Sequence, residues 1–327
     1  KDIPVDDAGV MFINNARTKD NAAAARGITS GNNLASGFAR VNYNYLERYL
    51  LTASMRLDGS SKFVRGHRWG TFPSVSAGWR VTEEKFMKPV KWLDNLKLRL
   101  GWGQIGNERS VDAYSYATFA SSGSNYPIGG VLSPGFSFNS AGNKELKWET
   151  TTTTNLGIDF ALFNSKLTGT IELFNKTTSD MLLRVPVPGQ TGIAVAPFQN
   201  AGKMRNQGIE LSLQYKNYDH PVGYSVGANF TTIKNRVLDL GANNAYIEGA
   251  SFMNAAYLTR TTVGKPIAQF YGLKTDGLFQ NWQEVNAQHA QKNVAPGDIR
   301  YRLVNKDDLF SSENYTYLGS PLPKFSY

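Results

Sequence analysis

The sequence predicts an all-β fold: an antiparallel, up-and-down transmembrane β-barrel with about eight clear strands. Three observations predict it. Apolar and polar residues alternate with period two in eight separate stretches. Several stretches reach about 9–11 residues or more, enough to cross a bilayer at a tilt. Short and long connections alternate between them, as in barrels that keep tight turns on one membrane side. The bulk numbers agree. The 327-residue chain has 19% charged residues, 31 glycines and no cysteine, which suits strands better than helical bundles.

The first strand places Ala39, Val41, Tyr43 and Tyr45 opposite Arg40, Asn42 and Asn44. After a turn at Glu47-Arg48, Tyr49, Leu51, Ala53, Met55 and Leu57 share the next apolar face. The third stretch sets Val75, Ala77, Trp79 and Val81 against Ser74, Ser76, Gly78 and Arg80, and the fourth sets Leu96, Leu98, Leu100 and Trp102 against Lys97, Arg99, Gly101 and Gly103. Leu156, Ile158, Phe160 and Leu162 form the fifth apolar face, and Leu167, Ile171 and Leu173 the sixth. Ile209, Leu211, Leu213 and Tyr215 form the seventh, and Tyr224, Val226, Ala228 and Phe230 the eighth. Tight turns fall at Glu47-Arg48, Asn164-Ser165 and Tyr218 to Pro221, and Thr82 to Asn95 is grouped with them. Long connections are expected near 59–71, 107–147, 179–204 and 236–323.

Two architectures accept such strands. A soluble sandwich turns apolar faces inward, and a membrane barrel turns them toward lipid. The alternation of connections favours the barrel, because a Greek-key sandwich has no reason to obey it. Arg40, Arg56, Arg80, Lys97 and Arg99 all fall on polar faces, as either architecture requires.

The absence of cysteine excludes disulfides and thiolate metal sites. The net charge of +9 comes from scattered Lys and Arg without a basic block, so nucleic acid is not an expected partner. No apolar run is long enough for a membrane helix. Lys1-Asp2-Ile3-Pro4 opens without the apolar region of a signal peptide, so a removed leader or a fragment is expected.

Gly101-Trp102-Gly103-Gln104-Ile105-Gly106 matches a dinucleotide fingerprint, but it lies inside a strand pattern and opens no helix. His67, His220 and His289 are far apart and lack metal-ligand spacing. Two aspartates, Asp307-Asp308, suit a solvated turn better than a calcium loop. No catalytic signature appears. No enzyme activity, cofactor or metal site is expected.

Several motifs together resemble the SusC/RagA family of TonB-linked outer-membrane transporters. They include Arg48 to Arg80, Trp92 to Arg99, Gly103 to Asn107, Leu146 to Thr150, Asn200-Ala201-Gly202 and Asn206 to Leu211. Gly264-Lys265-Pro266, Phe270-Tyr271-Gly272, Thr275 to Gln280 and Gly319 to Phe325 complete them in the family's order. The resemblance implies a late segment of a plugged barrel of about 22 strands, in the outer membrane of a Gram-negative bacterium. The plug and the TonB-contacting region would lie elsewhere in the protein. It implies import of oligosaccharide or peptide, with a SusD-like surface lipoprotein, the TonB complex and outer-membrane lipid as partners. A scaffold subunit, a small porin or an adhesin-type β-protein are the rival readings.

Tyr43, Tyr45, Tyr49, Trp79, Trp102 and Tyr215 lie near strand ends, where a membrane barrel carries its aromatic girdles. Trp69, Tyr114, Tyr116 and Trp282 are expected in connections, as contacts to substrate or partner. The rival use of such loop aromatics is to pack the loops on themselves.

Overall fold

The computed structural model describes residues 31–319, apart from 123, 186, 194, 220, 242–244, 250, 253–255, 289–290 and 304–314. Eight long strands make one antiparallel sheet: β1 (Leu34–Tyr45), β2 (Tyr49–Ser60), β3 (Trp69–Arg80), β4 (Leu93–Asn107), β5 (Glu149–Leu162), β6 (Leu167–Arg184), β7 (Phe198–Asn217) and β8 (Tyr224–Asp239). Each pairs with its sequence neighbour, and β1 and β8 are the open edges. The sheet is an unclosed barrel wall.

Register explains why the alternation adds up to one surface. Tyr43 lies opposite Leu51, Leu51 opposite Ala77, and Ala77 opposite Leu100. Leu100 faces Leu156, which faces Leu173, which faces Ile209. A slip of one residue anywhere would invert a strand. The next row along carries Leu50, Gly78, Arg99, Gly157, Glu172 and Glu210 on the other side.

The apolar face is bare. Val41 is 68% exposed, Leu100 55% and Phe230 45%. Eight strands at about 4.8 Å spacing make a face about 38 Å wide. With an apolar band about 25 Å tall, that far exceeds the few hundred Å² a soluble monomer leaves open. Among the described residues no second sheet packs on it. A sandwich would bury this face, so the single layer decides between the two architectures.

Tight turns close one end of the wall. Leu46 and Glu47 both have positive φ, and Arg48 N–H donates to the Tyr45 carbonyl at 3.0 Å, a left-handed turn that suits the strand twist and closes a three-residue connection. Residues 81–92 fold as two short 3₁₀ turns, Val81–Glu83 and Lys85–Met87. This connection is longer than 61–68 at the other end, because β2 and β3 extend further than their alternation. Likewise β6 runs on to Arg184 and β7 begins at Phe198.

At the loop end, residues 108–148 form a β-ribbon, with Phe119–Ser122 paired to Phe136–Ser140 and Tyr126–Ile128 to Val131–Ser133. Beyond β8 stands a four-stranded sheet of Tyr246–Glu248, Thr259–Thr262, Gln269–Leu273 and Tyr315–Gly319. Backbone bonds dock it to the top of β8: Val237 N–H to Lys265 O at 2.9 Å, and Gly264 N–H to Val237 O at 2.8 Å. Buried Asn235 accepts from Ile267 N–H at 2.7 Å and donates to Asn206 at 2.6 Å. A short helix, α1 (Trp282–Ala287), follows. Its N-cap Asn281 accepts from Glu284 N–H at 2.9 Å, satisfying a donor the helix leaves free.

Candidate functional site

The chain's buried apolar core lies at the loop end. Phe63, Phe72, Val111, Leu146, Trp148 and Leu182 cluster there, with Phe198 against them. Trp148 sits 5.5 Å from Phe63 and 5.6 Å from Phe72, ring centre to ring centre. Its indole N–H donates to the Arg68 carbonyl at 2.8 Å. A Cβ on Gly106 would stand 2.1 Å from the Phe72 ring, so only glycine lets the ring lie there. Connections 61–68 and 108–148 are thereby fastened to β3, β4 and β6. Lys62 pairs with Glu108 at 3.3 Å, and Ser60 donates to the same carboxylate at 2.9 Å.

The middle of the polar face carries a charged network. Arg99 donates to Asp159 from Nε at 2.7 Å and from Nη2 at 3.0 Å. Its Nη2 also lies 3.5 Å from Glu172, and Thr170 donates to Asp159 at 3.1 Å. Gly157 lies between these partners in the register. A Cβ there would stand 2.8 Å from the Arg99 guanidinium, so the glycine makes the crossing possible. Beside it lies a depression of about 370 Å³ lined by Thr52, Ser76, Gly78, Lys97, Arg99 and Asn155. Gly101 lines it too; the glycines of the apparent dinucleotide fingerprint lie in a strand, without the following helix that a pyrophosphate site needs.

The four predicted contact residues are not gathered in one place. Tyr114 and Tyr116 are, at 6.2 Å between ring centres in connection 108–148. Trp282 opens α1 and is 61% exposed. Trp69 corrects the expectation. It is the first residue of β3, opposite Gly59, on the same face as Val75 and Trp79. Gly70 and Pro73 interrupt the alternation and hide the start of the strand in the sequence. Neither tryptophan makes a ring pair among the described residues. His220, His289 and Asp307-Asp308 lie outside the described residues, and His67 sits in connection 61–68. Among the described residues no group of three or more metal-ligating side chains occurs.

One cluster escaped the sequence. Arg260 lies between Tyr246, at 3.9 Å, and Tyr271, at 3.7 Å, and pairs with Glu248 at 2.9 Å. Lys265 stands 3.5 Å over Tyr317, whose ring meets Tyr271 edge-on. These cation–π contacts join residues up to 71 positions apart in the chain, so no local period announces them. The Gly-Lys-Pro and Phe-Tyr-Gly motifs supply Lys265 and Tyr271.

The turn end is held otherwise. Ring pairs Tyr45/Tyr49, Trp92/Phe163 and Tyr215/Tyr224 span the ends of neighbouring strands at 6.4, 6.5 and 6.0 Å. Glu84, in connection 81–92, accepts from Tyr49 O–H at 2.7 Å and from Trp79 N–H at 3.2 Å. Those bonds, the tyrosine's first, and the nearby Arg48 charge hold its carboxyl below the ordinary range. Lys166 is pushed up by its hydrogen bond and ion pair with Asp219 across the neighbouring turns.

Comparison with known proteins places this architecture. The family described as TonB dependent receptor-like, beta-barrel matches residues 6–320. TonB-dependent receptors P26 and P39 of Formosa agariphila are 32% and 35% identical over 90% and 88% of this chain, which covers 30% and 26% of them. TonB-dependent receptor SusC of Bacteroides thetaiotaomicron is 43% identical over 57% of the chain and 19% of its own length. A structure of the RagAB peptide importer in the closed-closed state superposes with TM-score 0.69 at 25% identity, over 87% of this chain and 30% of that one. A RagAB peptide transporter structure gives 0.71 at 24% identity, over 96% and 33%. The chain thus spans about a third or less of the relatives it matches.

Proposed function

The chain belongs to the TonB-dependent receptor-like β-barrel family, and from that premise we propose that it is part of the wall of an outer-membrane active importer. The imported substrate is an oligosaccharide or a peptide. A SusD-like surface lipoprotein caps the loop end, and the TonB complex supplies the energy through regions elsewhere in the protein. The observation that carries the reading is the bare, continuous apolar face of a single-layer meander, which only lipid covers at low cost. The similarity to SusC and the likeness to the RagAB importer support the class of cargo.

On this reading the polar face lines the lumen, and Arg99, Asp159 and Glu172 face a plug built from the rest of the barrel protein. No covalent chemistry is required. Transport is gated binding and release. The connections at 61–68, 108–148, 185–197 and beyond 239 are extracellular. Tyr114, Tyr116 and Trp282 would then meet substrate or lid, while Trp69, on the apolar face, suits the membrane border.

Deleting 107–147 from the full-length receptor tests the loop assignment. Uptake or lipoprotein capture should fall, while heat-modifiable migration in detergent persists. Wild-type uptake and capture in a correctly assembled deletion would refute it.

A further inference from the structure

We propose that Arg205, Lys234 and Arg236 form a binding site for the phosphate of a membrane lipid headgroup on the outside of β7 and β8. The inference rests on the membrane reading above. Arg205 lies directly opposite Arg236, and Gln207 opposite Lys234. All share the face of Leu211, Phe230 and Ile209, because the register from 217 to 204 has no shift. Three cations thus stand together on the side of the wall that is apolar lower down, at Ile209, Leu211 and Phe230.

Their height fits a headgroup. On β8 the face runs Val226, Ala228, Phe230, Thr232, then Lys234 and Arg236. Each step of two residues rises about 7 Å along the strand, or about 5 Å along the normal at the usual tilt. Lys234 therefore stands one step past Thr232, and Arg236 two, spanning a headgroup layer about 5–8 Å deep. A cation facing hydrocarbon would be costly, and at headgroup depth it meets phosphate instead.

Nothing in the described wall neutralises them. The same-face neighbours are Asn175, Thr177, Gln207 and Thr232, all neutral. Of the nearby carboxylates, Glu172 and Glu210 point to the opposite face, Asp180 is paired with Lys147 at 3.1 Å, and Asp239 accepts from Gly241 N–H at 3.0 Å. None of the three cations has a salt bridge to a described residue, and Arg205 Nε is buried without a hydrogen-bond partner.. Like charges directly opposite in a sheet are destabilising, so this arrangement asks for an external anion. Arginine forks suit phosphate oxygens, and the adjoining apolar strip suits acyl chains, which commits the site to a lipid rather than a soluble anion.

The test uses the full-length receptor purified in detergent, with phosphatidylglycerol titrated and bound lipid counted by native mass spectrometry. The Arg205→Gln/Lys234→Gln/Arg236→Gln variant should lose bound phosphatidylglycerol by about tenfold or more, given the usual gain per basic residue. Phosphatidylcholine retention should not change. Wild-type phosphatidylglycerol retention in the variant would overturn the proposal. So would full displacement of the lipid by millimolar inorganic phosphate, which would mark a soluble-anion site. If the triple variant does not assemble, Lys234→Gln alone and a rise to about 1 M salt should each lower retention in the assembled protein; indifference to both refutes the site. Failure of the membrane reading would look different: the full-length protein would stay soluble without detergent.

Discussion

At the turn end, exposed rings meet in pairs at the ends of neighbouring strands and a single carboxylate gathers Tyr49, Trp79 and Arg48. At the loop end, Phe63, Val111 and Leu146 are wholly buried around Trp148. The first end has almost no interior and the second has the interior of a small soluble domain. The difference follows from what lies outside each. Rings at a membrane border are covered by lipid and headgroups. Connections that stand in water must bury apolar groups among themselves. On the membrane reading, the wall between them takes its apolar solvent from the bilayer.

The sharpest way to break the contrast is Trp148→Ala. Removing a buried ring from a packed cluster costs about 3–5 kcal/mol. The loss should appear at the loop end alone: limited proteolysis should cut within 61–68 and 108–148 while heat-modifiable migration survives. Loss of assembly with the loops would mean that the loop core and the wall fold as one unit.

Leu100→Arg attacks the wall instead. In a bilayer the arginine should cost about 2–4 kcal/mol near the midplane, read as a lower urea midpoint in vesicles. Ile128→Arg, at the exposed ribbon tip, should change that midpoint little. Equal tolerance at both positions would show that Leu100 does not meet lipid.

Between the two ends, Asp159→Asn probes the polar face. Arg99 would lose a charged partner but keep Glu172; the Arg99 side chain is about a third exposed and the two carboxylates about a quarter. A loss of about 1 kcal/mol is expected after solvent screening. Gly157→Val should perturb the same spot by crowding the guanidinium. A double-mutant cycle with Arg99→Gln checks that both act through Arg99.

How much of this was legible depends on distance along the chain. Period-two alternation is local, so Tyr43, Leu100, Leu173 and their neighbours announced their faces and, through the turns, their order. The far ends of β6 and β7, 179–184 and 198–204, were not legible, because a bulge between Thr178 and Leu182 breaks the two-residue period there. The loop-end core was hidden for another reason: Phe63, Phe72 and Trp148 meet through tertiary contacts. Trp69 was misplaced because Gly70 and Pro73 read as turn residues. The Arg205/Arg236 pair became visible only when register set two unremarkable arginines side by side.

The smallest expected effect belongs to Glu84 and tests whether the turn end is fastened through its charge. The hydrogen bonds from Tyr49 and Trp79 and the Arg48 charge favour the carboxylate, so its folded pKa lies below the unfolded value. A group shifted down in this way stabilises fully above its unfolded pKa, about 4.3 for glutamate. That contribution is lost as pH falls through the lower folded value. Glu84→Gln keeps an oxygen to accept the tyrosine bond but removes the charge. The unfolding temperature of the variant should therefore lie slightly below wild type at neutral pH, and the two should converge as pH falls from about 4.3 through the lower folded value. A gap that persists unchanged into acid would assign the role of Glu84 to hydrogen bonding alone. A gap that closes would show that the ring-and-turn end, which lacks a buried core, depends on one ionised carboxylate for part of its hold.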